Sequence, residues 1–288
     1  MFLSFLGVMF DGIAYGMLLF VMSVGLSVTM GMMGFINLAH GAFAMLGGYV
    51  CTTLMNQYHW PYLLTLPAAF LAVVAVSVIL ERGLYRRLYG ASDLDQVLLT
   101  IGLVFMSVAT MTFFWGTAQQ PVNLPSYLSG QWSLGGVGLG FYRLFLIGFG
   151  VAVSGLLIFT VERTSFGATV RAAVDNQKMA AGIGINVNGV FAVTFAIGSG
   201  LAGLGGALGV NMVGLDPTFA VKFLVYFLLV VSVGGLNSIG GTLTAALVLG
   251  VSDVAGKYYV PAVGAFIIYA VMVALLMWRP NGLFGRRS

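Results

Sequence analysis

The chain has 288 residues, of which 60% are hydrophobic and 7% charged, with a mean hydropathy of +1.03. Soluble globular domains carry about 25% charged residues, so the composition excludes a soluble enzyme or binding module and indicates an integral membrane protein. The net charge of +4 is not gathered into a basic run that would suggest nucleic acid, the lone Cys51 excludes an intrachain disulfide, and no Cys/His cluster has metal-ligand spacing.

The segment Met1–Met9 lacks a positively charged leading region, so it does not read as a cleaved secretory signal. A bilayer core needs about 20 apolar residues per helix. By that measure eight or nine spans are predicted, at 12–31, 34–55, 62–80, 96–116, 143–161, 189–213, 223–236, 239–257 and 261–278. The expected fold is all-α and polytopic. The seventh span is short and the second and eighth are rich in glycine, as in broken or re-entrant helices. Forty-one glycines and fifteen methionines fit helices that approach closely through small residues, because lipid gives them no hydrophobic reason to associate.

Along the chain, residues 34–50 are the first unusual stretch. Asn37 and His40, three apart and so on one helical face, stand among apolar and small residues. Burying both requires hydrogen-bond partners; they serve either to lock neighbouring helices or to touch a solute. The next is the loop 162–188, which holds Glu162, Arg163, Arg171, Asp175 and Lys178 between apolar spans. It is predicted to form a short amphiphilic helix over 165–182, capped by Thr164 or Ser165 and ended by Gly182 or Gly184. Its small apolar residues Ala168, Val170, Ala172, Ala173 and Val174 suit a groove on another protein. Further on, Gly198, Ala202 and Gly206 have the four-residue spacing of a close helix crossing. The stretch Gly234-Gly-Leu-Asn-Ser-Ile-Gly-Gly interrupts the last apolar run, and with the Asn37 region it suggests discontinuous segments of two related halves.

Nine of the twelve basic residues fall on one side if the loops 81–95 and 162–188 and the tail from Arg279 share it: Arg82, Arg86, Arg87, Arg163, Arg171, Lys178, Arg279, Arg286 and Arg287. Only Arg143, Lys222 and Lys257 fall opposite. The positive-inside rule then puts the C-terminus in the cytoplasm and, with nine spans, the N-terminus outside. Trp60, Tyr62, Trp115, Tyr142, Tyr258, Tyr259 and Trp278 lie near predicted interfaces, where amphipathic rings settle.

Taken together these residues resemble a family, the permease subunits of branched-chain amino acid (Liv-type) ABC importers. The resemblance is carried by Gly34-Phe-Ile-Asn-Leu-Ala-His-Gly, Thr164-Ser-Phe-Gly-Ala-Thr-Val-Arg-Ala, Gly182-Ile-Gly-Ile-Asn, Phe195-Ala-Ile-Gly-Ser-Gly-Leu-Ala-Gly, Gly234-Gly-Leu-Asn-Ser-Ile-Gly-Gly and Arg279-Pro-Asn-Gly-Leu-Phe-Gly. It spans essentially the full length. It implies one transmembrane permease domain over 1–288 with a cytoplasmic coupling loop at 162–188, in a multi-pass protein of the bacterial inner membrane. The implied partners are a second homologous permease, two cytoplasmic ABC ATPases and a periplasmic substrate-binding protein, with the lipid bilayer around them and no nucleic acid. Docking in the ATPase is assigned by this resemblance to Gly167, Arg171, Ala172, Asp175, Ala180 and Gly182. The family's coupling loop is often described by a Glu-Ala-Ala motif, and here the stretch is Val170-Arg-Ala-Ala. Asn37, His40, Ser199 and Asn237 are candidates for the translocation path. No phosphate-binding Gly-x-x-x-x-Gly-Lys-Ser/Thr loop is present, and the one Gly-Lys pair, Gly256-Lys257, is followed by Tyr258. The chain is therefore expected to be no enzyme and to bind no cofactor, ATP and Mg belonging to the partner subunits.

Rival classes make different demands. An ion-coupled secondary transporter of small solutes keeps ionisable groups inside the membrane, and Asp253 is the one acidic candidate within a span. An intramembrane hydrolase would need Ser199 activated by a base such as His40, with a third orienting group. A channel would leave the loop at 162–188 unexplained. Within the resembled family the solute is open between branched-chain amino acids and others such as urea, amides or aromatic acids.

Overall fold

In the computed structural model, residues 2–134, 137–236 and 238–285 are described, and they are predominantly helical. With no proline before residue 61 to interrupt it, the first helix, α1, runs Phe2–Met33, well beyond its predicted apolar core. It is followed by α2 (His40–Asn56), α3 (Tyr62–Gly83), a 3₁₀ turn at Tyr85–Leu88 and α4 (Asp93–Trp115). Next come the one-turn α5 (Ser126–Ser129), the strands β1 (Gln131–Leu134) and β2 (Val137–Gly140), and α6 (Phe141–Arg163). The chain ends with α7 (Ser165–Asp175), α8 (Gln177–Gly182), α9 (Val187–Val213), α10 (Phe219–Gly234), α11 (Ile239–Tyr259) and α12 (Gly264–Trp278). Six of these helices, α1, α3, α4, α6, α9 and α11, are long and apolar enough to cross a membrane. The helices α2, α10 and α12 are shorter. The antiparallel hairpin β1–β2, with Trp132 opposite Leu139, was not expected in the Gly- and Gln-rich loop.

The centre of the bundle is α9, buried along most of its length. It touches α1 where Gly198 meets Gly25, and a methyl on Gly25 would overlap the Gly198 carbonyl. It touches α2 where Gly47 meets the Gly203 carbonyl and Gly206 meets the Ala44 carbonyl. Val73 of α3 fills the remaining space over Gly203. On the other side of α1, Gly12, Gly16 and Gly250 bring α11 to backbone contact. The four-residue small pattern is thus a crossing surface: side chains have been removed so that main chains approach and dispersion contacts accumulate.

Two helices begin inside the bundle. After α1, Gly34 takes φ +61, and the chain turns back along the bundle with Phe35, Asn37 and Ala39 buried. At the start of α2, His40 lies beside Met22, which is about 16 Å of helix before Met33. After α9, Gly214 takes φ +75, Leu215 is buried against Gly48, and α10 starts with Ala220 against Gly41. Asn37 Oδ1 accepts from Ala39 N at 3.1 Å and Asp216 Oδ1 accepts from Thr218 N at 2.7 Å, so each loop satisfies donors that a helix start leaves orphaned. The related discontinuous segments are therefore 34–39 and 214–218. The Gly234–Gly241 stretch does not fill that role. It is a tight turn between α10 and α11, capped where Ser238 Oγ accepts from Gly241 N, and clasped by the C-terminal tail as Leu283 N donates to Val233 O. The glycine-rich α11 is unbroken, since Gly241, Gly250 and Gly256 sit at contacts with α10, α1 and α12.

Because Gly206 faces a main-chain carbonyl that has nowhere to move, Gly206→Val is expected to destabilise the bundle by at least about 1–3 kcal/mol. A lowered melting temperature in detergent, with Gly148→Val at an open position as control, is the measurement. Equal melting of the two variants would remove α9 from its central role.

Candidate functional site

The loop 162–188 is built as two helices rather than the single one expected. Thr164 Oγ1 accepts from Gly167 N and starts α7, and Gly167 is obligatory because a side chain there would overlap the Val161 carbonyl at the α6–α7 corner. Asn176 leaves helical geometry at φ −155, ψ 97 and ends α7; its Oδ1 accepts from Met179 N at 2.9 Å and starts α8. An asparagine that prefers a cap to a helix interior splits the segment.

Gly167, Val170 and Ala173 are buried against the bundle, as is Ala180 of α8. The apolar residues expected to form a docking surface are thus partly its support. Ala172 is half-buried, while Arg171, Asp175 and Gly182 are exposed. Arg171 donates through Nη1 to the Val161 carbonyl, tying α7 to the end of α6 rather than pairing with Asp175. The outward face carries two residues that the sequence argument passed over. Met179 is 68% exposed and Ile183 is 73% exposed, four apart at the end of α8. Large apolar side chains at i and i+4 within a polar loop were the available signal.

Behind α7 lies a cavity of about 960 Å³, bounded by Arg171, Val174 and Asp175, by Val231 and Ser232 of α10, and by Asn281 of the tail. The exposed Arg82, Arg86, Arg87, Arg163, Lys178 and Arg279 belong to the same end of the bundle, where Phe35 packs on Tyr85 and Tyr89 packs on Phe191. Arg286 and Arg287 lie outside the described residues. Burial raises the Tyr85 and Tyr89 hydroxyls above the usual phenol range, Tyr89 further through its bond to the Glu81 carboxylate. Both therefore remain donors, Tyr85 to Asn37 Oδ1 at 3.2 Å and Tyr89 to Glu81 at 2.9 Å.

The candidate path residues are placed elsewhere. Asn37, His40 and Ser199 are fully buried and line neither this cavity nor a second one at the opposite end. His40 Nε2 donates to the Met22 carbonyl at 2.9 Å and its ring stands edge-on to Phe227, so it joins α2 to α1 and α10. Its Nδ1, Asn37 Nδ2 and Ser199 Oγ have no partner among the described residues. The Ser199–His40 hydrogen bond that an intramembrane hydrolase needs is not formed. Asn237 lies outside the described residues. No group of three metal-ligating side chains occurs among the described residues.

The family model for the branched-chain amino acid transport system permease component matches residues 8–276, and the chain belongs to that family. It is 28% identical to the high-affinity branched-chain amino acid transport system permease protein BraD of Pseudomonas aeruginosa, over 96% of this chain and 94% of that one. It is 27% identical to the permease LivH of Salmonella typhimurium, over 99% and 97% of the two chains. It is 26% identical to a probable branched-chain amino acid transport permease LivH of Methanocaldococcus jannaschii, over 95% and 90%. No solved structure matches the chain. The protein is thus a multi-pass membrane permease component.

Asn176→Ala is expected to weaken the start of α8 by about 1 kcal/mol. Hydrogen exchange should speed up at Lys178–Gly182 with α9 unchanged; unaltered protection there would show that tertiary contacts alone hold α8.

Proposed function

We propose, on the premise of that family membership, that the chain is a permease subunit of an ABC importer. With a second homologous permease it forms the path for branched-chain or related amino acids. Two ATPases in the cytoplasm, binding ATP and Mg, drive it, and a periplasmic binding protein delivers the solute. The protein sits in the bacterial inner membrane with its N-terminus outside and the α7–α8 end in the cytoplasm, in keeping with the basic residues gathered there.

The observation that carries this reading is the helix pair α7–α8. Met179 and Ile183 project from a charged segment beyond the apolar spans, an arrangement that favours a groove on a soluble partner over lipid. Around them, Arg171, Asp175 and Gly182 offer polar and backbone contacts, while Gly167, Ala172 and Ala180 hold the pair against α6 and α9. Closure of the ATPases pushes on this pair. The push reaches α9 directly and α10 across the cavity behind α7, and the equilibrium between inward and outward exposure shifts because the docking contacts differ between the two states.

Met179→Asp and Ile183→Asp are each expected to reduce co-purification of the ATPases by about tenfold or more, with membrane insertion and melting temperature unchanged. Arg171→Glu should also reduce recovery of the ATPases, and because Arg171 ties α7 to the Val161 carbonyl it is expected to loosen that corner as well. Normal recovery of the ATPases with all three variants would overturn the docking role. In whole cells, loss of uptake on removing the ATPases, and its survival when the proton gradient collapses, separates an ATP-driven importer from an ion-coupled carrier. A solute screen including urea, amides and aromatic acids fixes the cargo.

A further inference from the structure

At the hairpin end, α1, α9, α10 and α11 border a second, open cavity of about 280 Å³, near the roughly 300 Å³ at which small-molecule pockets begin. It contains Asp253, whose side chain is only 2% exposed and which lies six residues before the end of α11, about 9 Å along the helix. Asp253 Oδ2 binds Lys257 Nζ at 2.5 Å. Its other oxygen, Oδ1, is buried without a partner among the described residues.

A buried carboxylate oxygen that accepts nothing is a costly arrangement unless a donor arrives from the cavity. Lys222, which also lines the cavity, is exposed and has no acidic partner among the described residues. One side of the pocket therefore calls for a hydrogen-bond donor at Asp253 Oδ1, and the other offers the Lys222 ammonium to an anionic group. Between them the lining is aromatic at Tyr15 and aliphatic at Met212, Val213 and Val254. Charges placed within apolar segments, facing a cavity rather than lipid, are the usual mark of a solute path.

We infer that this pocket receives an α-amino acid as the zwitterion. The ammonium donates to Asp253 Oδ1, the carboxylate accepts from Lys222 Nζ, and an aliphatic side chain packs on Met212, Val213 and Val254. The inference rests on the import reading above, which turns this end of the bundle outward. It also assigns α10 a linking role. Lys222 and Tyr226 face this pocket, whereas Val231 and Ser232, on roughly the opposite side of the same helix, face the cavity behind α7. Solute at one end and the ATPases at the other thus act on one short helix that begins inside the bundle.

The test is solute protection of a cysteine in the assembled transporter in membranes. Val213→Cys supplies the thiol, and native Cys51 is buried. Saturating L-leucine is expected to slow its reaction with a charged maleimide. Half-maximal protection by 3-methylbutylamine or 4-methylpentanoate, each lacking one charged group, should need about tenfold higher concentration or more. Asp253→Asn, close to isosteric, should abolish the advantage of leucine over 4-methylpentanoate, and Lys222→Gln at the exposed rim should abolish its advantage over the amine. Labelling unaffected by leucine, or protection unchanged in Lys222→Gln, overturns the assignment. Equal protection by 4-methylpentanoate shows a simple anion site and overturns it too. ATP-driven leucine uptake by the same membranes distinguishes the two levels: uptake without protection sinks the pocket alone, and protection without uptake sinks the import reading alone.

Discussion

The contact of main chain on main chain along α9 is the constraint from which the rest follows. Gly198 against Gly25, Gly203 against Gly47 and Gly206 against Ala44 leave no room for a single methyl group at several points. In a lipid environment helices gain nothing from merely hiding apolar surface, so close approach and the dispersion it brings must hold them. With α9 locked to α1 and α2, Val73 of α3 and Phe195 of α9 have fixed positions, and the aromatic contacts of Phe43 and Tyr85 with Phe195 follow.

That central packing makes short helices tolerable. A helix that begins inside a bundle leaves its first backbone donors without intrahelical partners. Here each start is furnished locally. Gly34 and Gly214 supply the left-handed turn, Phe35 and Leu215 anchor it, and the side chains of Asn37 and Asp216 accept from the backbone just ahead of α2 and α10. The two loops solve one problem twice. His40 then fastens the start of α2 to the Met22 carbonyl, which makes it a structural pin at the depth where α1, α2 and α10 meet.

The two ends of the protein differ in kind. At one, α7 and α8 lie outside the apolar spans, held by small buried residues and by the bond from Arg171 to Val161 O, and they present Met179 and Ile183. At the other, the Asp253 carboxylate is drawn into the bundle beside the exposed Lys257, while Arg143 and Asp11 form a peripheral pair at 3.0 Å. The helix α10 borders a cavity at each end. In the proposed importer, the helix pair outside and the short helix inside are the parts through which partner and solute would influence each other.

Composition and periodicity were sufficient for the membrane class, for the approximate positions of the six helices long enough to cross and for singling out the charged internal loop, because hydropathy and charge are local properties. The small-residue pattern at Gly198, Ala202 and Gly206 likewise announced a close crossing, and Thr164 or Ser165 a helix cap, of which the structure uses Thr164. Which helices meet there is not local, and neither is the choice between 214–218 and 234–241 as the counterpart of the Asn37 loop; both depend on where the chain returns in space. The same holds for the loop at 162–188. Its alanines and valines have one hydropathy whether they face a partner or their own bundle, and only packing against α6 and α9 turned Val170 and Ala173 inward and left Met179 and Ile183 outside. In the sequence Asp253 is the one acidic candidate within a span. Its pairing with Lys257, four residues on in α11, is local, but the cavity it shares with Lys222 needs four helices to converge and was decided by the fold alone.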